Sequence, residues 1–381
     1  MATRTLGIIV HGATGRIGST QHVANSLVPI RAEGGLACGG DHVLPNLLLV
    51  ARDPAKLKVA AELAGAAWTT DLDAALSDPV YEVLCDAAAT HLRPMVLEKA
   101  IAAGKHIYTE KPLAPSVAEG QRLLHLAQQR GVKHGAVEDK LGLPGLQKLA
   151  RLVDRGFFGR VIGFKLEFGW WIFDGIEAPA QRPSWNYRRS GGGGVIFDMY
   201  PHWRYIVEGL MGPIRRVTAI AVTGTRDRAD EAGRPYTCDV EDTGHALVEM
   251  ESGAVGVILS SWATRVRRDD LVVLQIDGSK GSAQAGLHRC FTQCSLEGPR
   301  TSAFSVSVDA GIDYRTQWRE FDEPVSPVNP YRVGWEAFLR HVHAGDPMAS
   351  DLRAGIRDIA LAEACHRSIA SRAWADMPKL S

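Results

Sequence analysis

Long apolar runs are missing from this chain. No stretch of eighteen or more apolar residues occurs, which excludes a helical membrane span. An excess of one charge is missing too. Lys plus Arg number 43 and Asp plus Glu 43, so there is no global electrostatic reason to hold nucleic acid or an anionic membrane. Cysteine is sparse: six residues, at positions 38, 85, 238, 290, 294 and 365, are scattered over the length. They read as reduced, buried thiols of a cytoplasmic protein. Cys290 and Cys294 are four apart, but no second pair or nearby His-x-His unit completes a zinc set, so no metal is expected. The opening MATRTLGIIVHG lacks the charged head, long apolar segment and cleavage site of a secretory signal. There is no fixed-period repeat and no low-complexity linker.

What is present is an ordinary globular composition, 45% apolar and 23% charged over 381 residues, enough for two domains. Over the first 140 or so residues, short apolar runs alternate with helix-like segments. LGIIV (6–10), NLLLVAR (46–52), YEVLCDAAA (81–89), KHIYTEKP (105–112) and VKHGAVED (132–139) read as strands. Between them lie helical stretches, one opening on Asp53-Pro54 as N-cap and first helical residue. This is the pattern of a parallel sheet with helices on both faces. Residues 19–46 are longer than a simple crossover needs, and predict a lengthened helix plus a Gly-rich excursion. Beyond about residue 145 the segments 160–171, 214–225, 242–251, 253–263 and 271–278 follow one another with few helices between, as in a mainly antiparallel sheet. Two helices close the chain, at 331–345 and 352–371. The domains are therefore placed at 1–142 and 143–381.

Gly12, Gly15 and Gly18 follow the first strand and precede a helix, the context a dinucleotide fingerprint requires. Glycine lets the backbone turn tightly and lets amides approach a pyrophosphate. The second strand ends Val50-Ala51-Arg52-Asp53, with Ala where an NAD-binding acid is expected and a guanidinium beside it. That favours NADP(H) over NAD(H). Asp53 could cap the helix or reach the ribose.

Glu110-Lys111-Pro112 ends the fourth strand, at the carboxyl edge where ligands of open α/β folds bind. Proline makes this turn rigid and permits a cis bond that could aim the Lys inward. In SGGGGVIFDMYPHW (190–203), Asp198 and His202 are four apart and would share one helix face. The four glycines upstream let the backbone pass close to a flat ring. Phe168, Trp170, Trp171, Phe173, Trp185, Tyr187, Trp203 and Tyr205 crowd the same region. Aromatic faces suit sugar rings as well as domain cores.

GATGRIG, AIAAGKHIYTEKPLA (100–114), GFFGRV (156–161), GGGVIFDMYPH (192–202) and DTGHALVEMESGAVG (242–256) together resemble the Gfo/Idh/MocA oxidoreductases over essentially the whole chain. The resemblance implies a Rossmann dinucleotide-binding domain plus a C-terminal α/β domain with an open, mainly antiparallel sheet. That sheet commonly makes a homodimer or homotetramer contact. It also implies that Lys111 matches the catalytic Lys, and that Asp198 and His202 match the two other active-site positions. Tyr200 and Pro201 replace the usual Gly-x before the His, Tyr205 stands where many members have Asp, and Arg93 replaces a His often found after the third strand.

The expected cofactor contacts are Gly12, Thr14, Gly15, Arg16, Ile17, Arg52, Ala88, His91, Glu110 and Lys111, with Arg93 near His91 on the cofactor side. The expected substrate contacts are Lys140, Trp171, Arg182, Trp185, Asp198 and His202, with Asn186 beside them. They point to a polyhydroxylated small molecule: a sugar, an inositol or a glycoside. Hydride transfer at nicotinamide needs a base for the adjacent hydroxyl. Imidazole titrates near neutrality, which makes His202 the candidate base, with Lys111 polarising the reacting oxygen or acting as the base itself. Two other readings of the same fold remain: glycoside cleavage through transient oxidation by bound NAD, and a dinucleotide-binding regulator without chemistry.

Overall fold

The computed structural model describes residues 2–296, 313–325 and 328–379. The run Leu6–Val10 is almost fully buried within β1 (Thr3–His11), as a strand covered on both faces must be. Helix α1 follows the glycine turn. Its first part, Ile17–Leu27, is π-helical and its last turn, Val28–Ala32, α-helical. The expected Gly-rich excursion is a hairpin: β2 (Leu36–Cys38) turns at Gly39-Gly40 and runs antiparallel to β3 (Asp41–Val50). The second strand thus begins at Asp41 rather than 46, because Val43 and Leu44 pair with β1 across Pro45.

Helix α2 (Pro54–Ala64) is capped by Asp53, whose side chain accepts from the amides of Ala55 and Lys56 at 3.0 and 3.1 Å. Next come β4 (Ala67–Thr69), α3 (Leu72–Ser77), β5 (Tyr81–Asp86), α4 (Arg93–Ala102), β6 (His106–Thr109), α5 (Val117–Arg130) and β7 (His134–Ala136). The sheet order is β2-β3-β1-β5-β6-β7, with β4 also on β3, and all its pairings except β2–β3 are parallel.

The second body opens with α6 (Pro144–Asp154), β8 (Val161–Gly169) and α7 (Val195–Met211). It continues through β9 (Ile214–Val222), a small hairpin of β10 (Asp227–Ala229) and β11 (Pro235–Thr237), β12 (Thr243–Met250) and β13 (Val255–Ser261). The strands β14 (Val272–Gly278), β15 (Gly281–Ala285), β16 (Cys290–Cys294) and β17 (Arg319–Glu320) follow. With β18 (Ala375–Asp376) they form a sheet of order β17-β16-β15-β14-β8-β13-β12-β9-β18, antiparallel except where β8 meets β13. One face is covered by α7, with Ile196 against Gly244 and the Trp203 indole donating to Ser260 at 3.2 Å. On the other face the register groups Ile220, Val222, Leu247 and Val255, which are 51–72% exposed.

The second body does not run to residue 381 as the expected boundaries have it. Residues 328–363 belong with 1–142, and the rest of the second unit is 143–327 and 364–378. The reason is packing. Helix α8 (Pro330–Ala344) buries Trp335, Phe338 and Leu339 completely in the first unit's core, where Phe338 stacks on Tyr108 with ring centroids 4.8 Å apart. The unit boundary then falls inside α9 (Leu352–Ser371). Among the described residues no helix is long and apolar enough to cross a membrane.

Candidate active site

The glycine turn sits at the carboxyl end of β1. Gly12 has φ +81°, a region that favours glycine, and a Cβ there would meet the Ala87–Ala88 backbone at 2.7 Å. A Cβ on Gly18 would meet the Gly12 carbonyl at 2.4 Å, so this glycine lets the helix start close under the turn. Gly15 and Arg16 are exposed, while Thr14 and Ile17 are half-buried. The first amides of a helix have no partner within it and favour anions. Thr14 and Ser19 share an open cleft of about 490 Å³ with Ala55, Lys56, Val59, Ala60 and Leu63. Arg52 is exposed just before α2. Asp53 caps α2 with one carboxylate oxygen, and Lys56 lies 3.9 Å from the other. A cradle shaped this way fits a dinucleotide: glycine occupies the points of closest backbone approach, and cations stand beyond the second strand.

Ala88 and His91 lie past β5, His91 exposed on a short 3₁₀ turn. Arg93 is different. It is 2% exposed, its Nε donates to Asp86 at 3.0 Å and its Nη2 to the Ala88 carbonyl at 2.9 Å, and Nη1 donates to the Pro112 carbonyl. His11 donates from Nδ1 to the same Asp86 at 2.7 Å. Burial pushes the Asp86 carboxyl up, but the His11 hydrogen bond and the Arg93 guanidinium outweigh it, holding it below the ordinary carboxylate value. Arg93 therefore does not face a cofactor. It ties the ends of β1 and β5 to the turn after β6.

That turn carries Glu110 and Lys111, and the Lys111–Pro112 bond is cis. Glu110 is buried and accepts from the Lys111 amide at 3.2 Å and from His22 Nε2 at 3.1 Å. Lys111 is half-buried. Beyond the neighbouring strand β7, Lys140 pairs with the buried Asp139.

In the second unit Asp198 and His202 lie one turn apart on α7, as their spacing predicts. Arg182 Nη2 donates to Asp198 at 2.5 Å, and its guanidinium lies 4.3 Å from the Trp262 ring centroid. His202 Nδ1 and the Tyr205 hydroxyl share a hydrogen bond of 2.7 Å. The helix start is held by Glu241, whose carbonyl accepts from the Val195 amide at 3.0 Å and whose carboxylate accepts from the Ile196 amide at 3.2 Å. Gly193 and Gly194 upstream make room for the chain's own groups rather than a flat ring. A Cβ on Gly193 would meet the Asn186 carbonyl at 2.3 Å, and one on Gly194 the Glu241 carboxylate at 2.6 Å.

The aromatic segment divides. Tyr187, Trp203 and Tyr205 are core, and Phe168 packs on Trp203 at 5.3 Å. Trp171, under the Arg265 guanidinium, and Trp185 and Phe173 stay exposed. Asn186 is buried beside Tyr187. Sequence reasoning missed His22, Trp335, Glu241 and Ser260. A His four residues past the last fingerprint glycine is readable as a pattern, but nothing in the sequence links it to position 335.

A parallel nucleotide-binding body and an open-sheet body define the two-domain nicotinamide oxidoreductases. Residues 8–137 match the model of the oxidoreductase family NAD-binding Rossmann fold, and residues 146–284 that of the GFO/IDH/MocA C-terminal domain. The chain belongs to the Gfo/Idh/MocA oxidoreductases and is an NAD-binding enzyme of that family. It is 41% identical over 385 residues to a D-xylose dehydrogenase of Paenarthrobacter nicotinovorans, covering 100% of this chain and 99% of that one. A levoglucosan dehydrogenase of Pseudarthrobacter phenanthrenivorans is 24% identical over 341 residues, covering 82% and 84%. A solved levoglucosan dehydrogenase with NADH and L-sorbose superposes with TM-score 0.82 at 19% identity over 99% of this chain and 100% of that one, a likeness of fold.

Proposed function

We propose that this protein is a sugar dehydrogenase that oxidises a CH–OH of a pentose-like or other polyhydroxylated substrate, or reduces the corresponding carbonyl, with NADP(H) favoured over NAD(H). The observation that carries the reading is full-length 41% identity to a D-xylose dehydrogenase in a chain that keeps Lys111, Asp198 and His202. The NADP(H) preference rests on exposed Arg52, on Lys56 lining the cleft with Thr14, and on Asp53 being occupied as a helix cap.

The bound cofactor supplies the hydride acceptor or donor. The chain's residues do the rest. Gly12, Thr14, Gly15, Arg16 and Ile17 hold the pyrophosphate with backbone groups, and Ala88 and His91 line the same side. Lys111 donates to the reacting oxygen and stabilises the developing alkoxide. For His202 to take the hydroxyl proton at Nε2, Nδ1 must carry hydrogen and donate to Tyr205, which the 2.7 Å contact allows. Asp198, anchored by Arg182, accepts from a neighbouring hydroxyl. Lys140, Trp171 and Trp185 complete the substrate contacts.

The exposed strip Ile220, Val222, Leu247 and Val255 supports association of two or four copies through this sheet face. The protein is assigned to the cytoplasm, consistent with buried free thiols at Cys38, Cys85, Cys238, Cys290 and Cys365. The test is a panel of sugars, inositols and glycosides with NADP and NAD, followed by absorbance at the nicotinamide band. Turnover on a sugar, with kcat reduced about 10²–10⁴-fold in Lys111→Ala and His202→Ala, is expected. Release of aglycone without net cofactor reduction would replace the dehydrogenase reading, and absence of turnover with retained cofactor binding would favour a regulator.

A further inference from the structure

Three side chains distant in sequence meet in the first unit, two of them wholly shielded from solvent and Glu110 7% exposed. His22 comes from the π-helical part of α1, Trp335 from α8 and Glu110 from the end of β6. His22 and Trp335 are each 0% exposed. The Trp335 indole donates to His22 Nδ1 at 3.0 Å, and His22 Nε2 lies 3.1 Å from Glu110 Oε1.

An indole N–H can only donate. His22 Nδ1 must therefore accept, which puts the imidazole hydrogen on Nε2, where it donates to Glu110. The imidazole cannot take a second proton without breaking the indole bond. Cys85 Sγ, 3.6 Å from the same Nδ1, is a buried thiol pushed up by burial, so it too presents hydrogen rather than charge. The edge-on rings of Tyr331 and Tyr108, at 5.3 and 6.2 Å, close the pocket around the imidazole. The other Glu110 oxygen accepts from the Lys111 amide at 3.2 Å.

We propose that His22, fixed by Trp335 as the Nε2–H tautomer, is a positioning residue: it pins the Glu110 carboxylate and, through that carboxylate, the backbone of the turn that presents Lys111. The proposal rests on the reading of Lys111 as a group that touches the reacting oxygen. Arg93 and Lys111 bring charge to Glu110, while His22 and the Tyr331 hydroxyl bring hydrogen bonds. Arg93 is anchored on Asp86, Lys111 follows in the chain and Tyr331 offers a single hydroxyl, so His22 is the partner with a choice of tautomer.

The test uses the full-length protein with ¹⁵N-labelled histidine. Long-range ¹H–¹⁵N spectra at neutral pH are expected to show His22 as the Nε2–H tautomer. In Trp335→Phe the same ring is expected to exchange tautomers. In parallel, His22→Ala is expected to lower kcat about 10- to 100-fold, with cofactor Kd by calorimetry within twofold and His22→Gln recovering part of the loss. Should His22→Ala fail to fold, His22→Gln and Trp335→Phe carry the kinetic arm. An Nδ1–H wild-type His22 overturns the proposal, as does a folded His22→Ala with unchanged kcat. Lys111→Ala separates the two readings. If it abolishes turnover while His22→Ala does not, only the positioning role falls; if Lys111→Ala is fully active, the assignment of Lys111 falls and the positioning role with it.

Discussion

Replacing Arg93 by Met is the sharpest probe of how the first unit holds its ligand-binding edge. The change keeps an unbranched side chain but removes three donors, one to Asp86, one to the Ala88 carbonyl and one to the Pro112 carbonyl. Asp86 has no exposed side-chain surface, so its charge keeps only the His11 bond and nearby backbone. Removing one partner of such a pair costs about 3–5 kcal/mol, because an undercompensated buried charge is left behind. For a folding unit of this size that is roughly 6–20 °C in melting temperature. The effect has a pH signature. The Asp86 carboxyl is held below its ordinary value in the folded state. The stability it contributes is thus present above the unfolded-state pKa and lost as pH falls through the folded one. Without Arg93 that folded value rises, so the acid limb of stability moves to higher pH. Thermal and urea unfolding of both proteins between pH 3 and 8, followed by far-ultraviolet circular dichroism, measures this. A loss below about 1 kcal/mol with the acid limb unmoved would refute the claim that the Arg93–Asp86 pair braces the edge, since that is what a surface pair delivers.

Arg52→Ala should weaken NADPH about 10- to 100-fold, the worth of charge-assisted hydrogen bonds to a phosphate, and change NADH affinity by less than twofold; equal losses in calorimetry remove the NADP(H) preference. Gly194→Ala places a methyl against the Glu241 carboxylate at a φ of +115°. It should cost about 1–3 kcal/mol and lower kcat more than it raises the cofactor Kd, because the displaced helix carries Asp198 and His202; wild-type kcat with intact stability would contradict this. Dimer or tetramer formation should be lost in Leu247→Lys with Ile220→Lys, read by light scattering; an unchanged assembly moves the contact elsewhere.

Much of the architecture is legible because its signals are local. Asp53-Pro54 announces α2, the apolar run of β1 followed by glycines announces the cradle, and Asp198 with His202 reads at helical spacing. Arg93 looks from sequence like a cofactor-side residue because it follows a strand end. Its burial depends on Asp86 and the Pro112 carbonyl, and the latter contact lies 19 residues away in sequence. The glycine run suggests close approach, but what Gly193 and Gly194 approach, Asn186 and Glu241, is not announced by the run itself. The domain boundary fails for the same reason. Trp335 and Phe338 are apolar positions on an amphipathic helix, and periodicity says that such a face is covered without saying by what.

The return of α8 makes residues 143–327, the larger part of the second unit, an insertion within the first. During synthesis the nucleotide-binding core therefore waits for the last seventh of the chain before Tyr108 and His22 are sealed from water. A gene fragment ending near residue 142 would expose an aromatic pit suited to self-association. Anyone grafting this Rossmann body onto another protein would need to carry α8 with it, or supply a helix that brings an indole donor to the same spot.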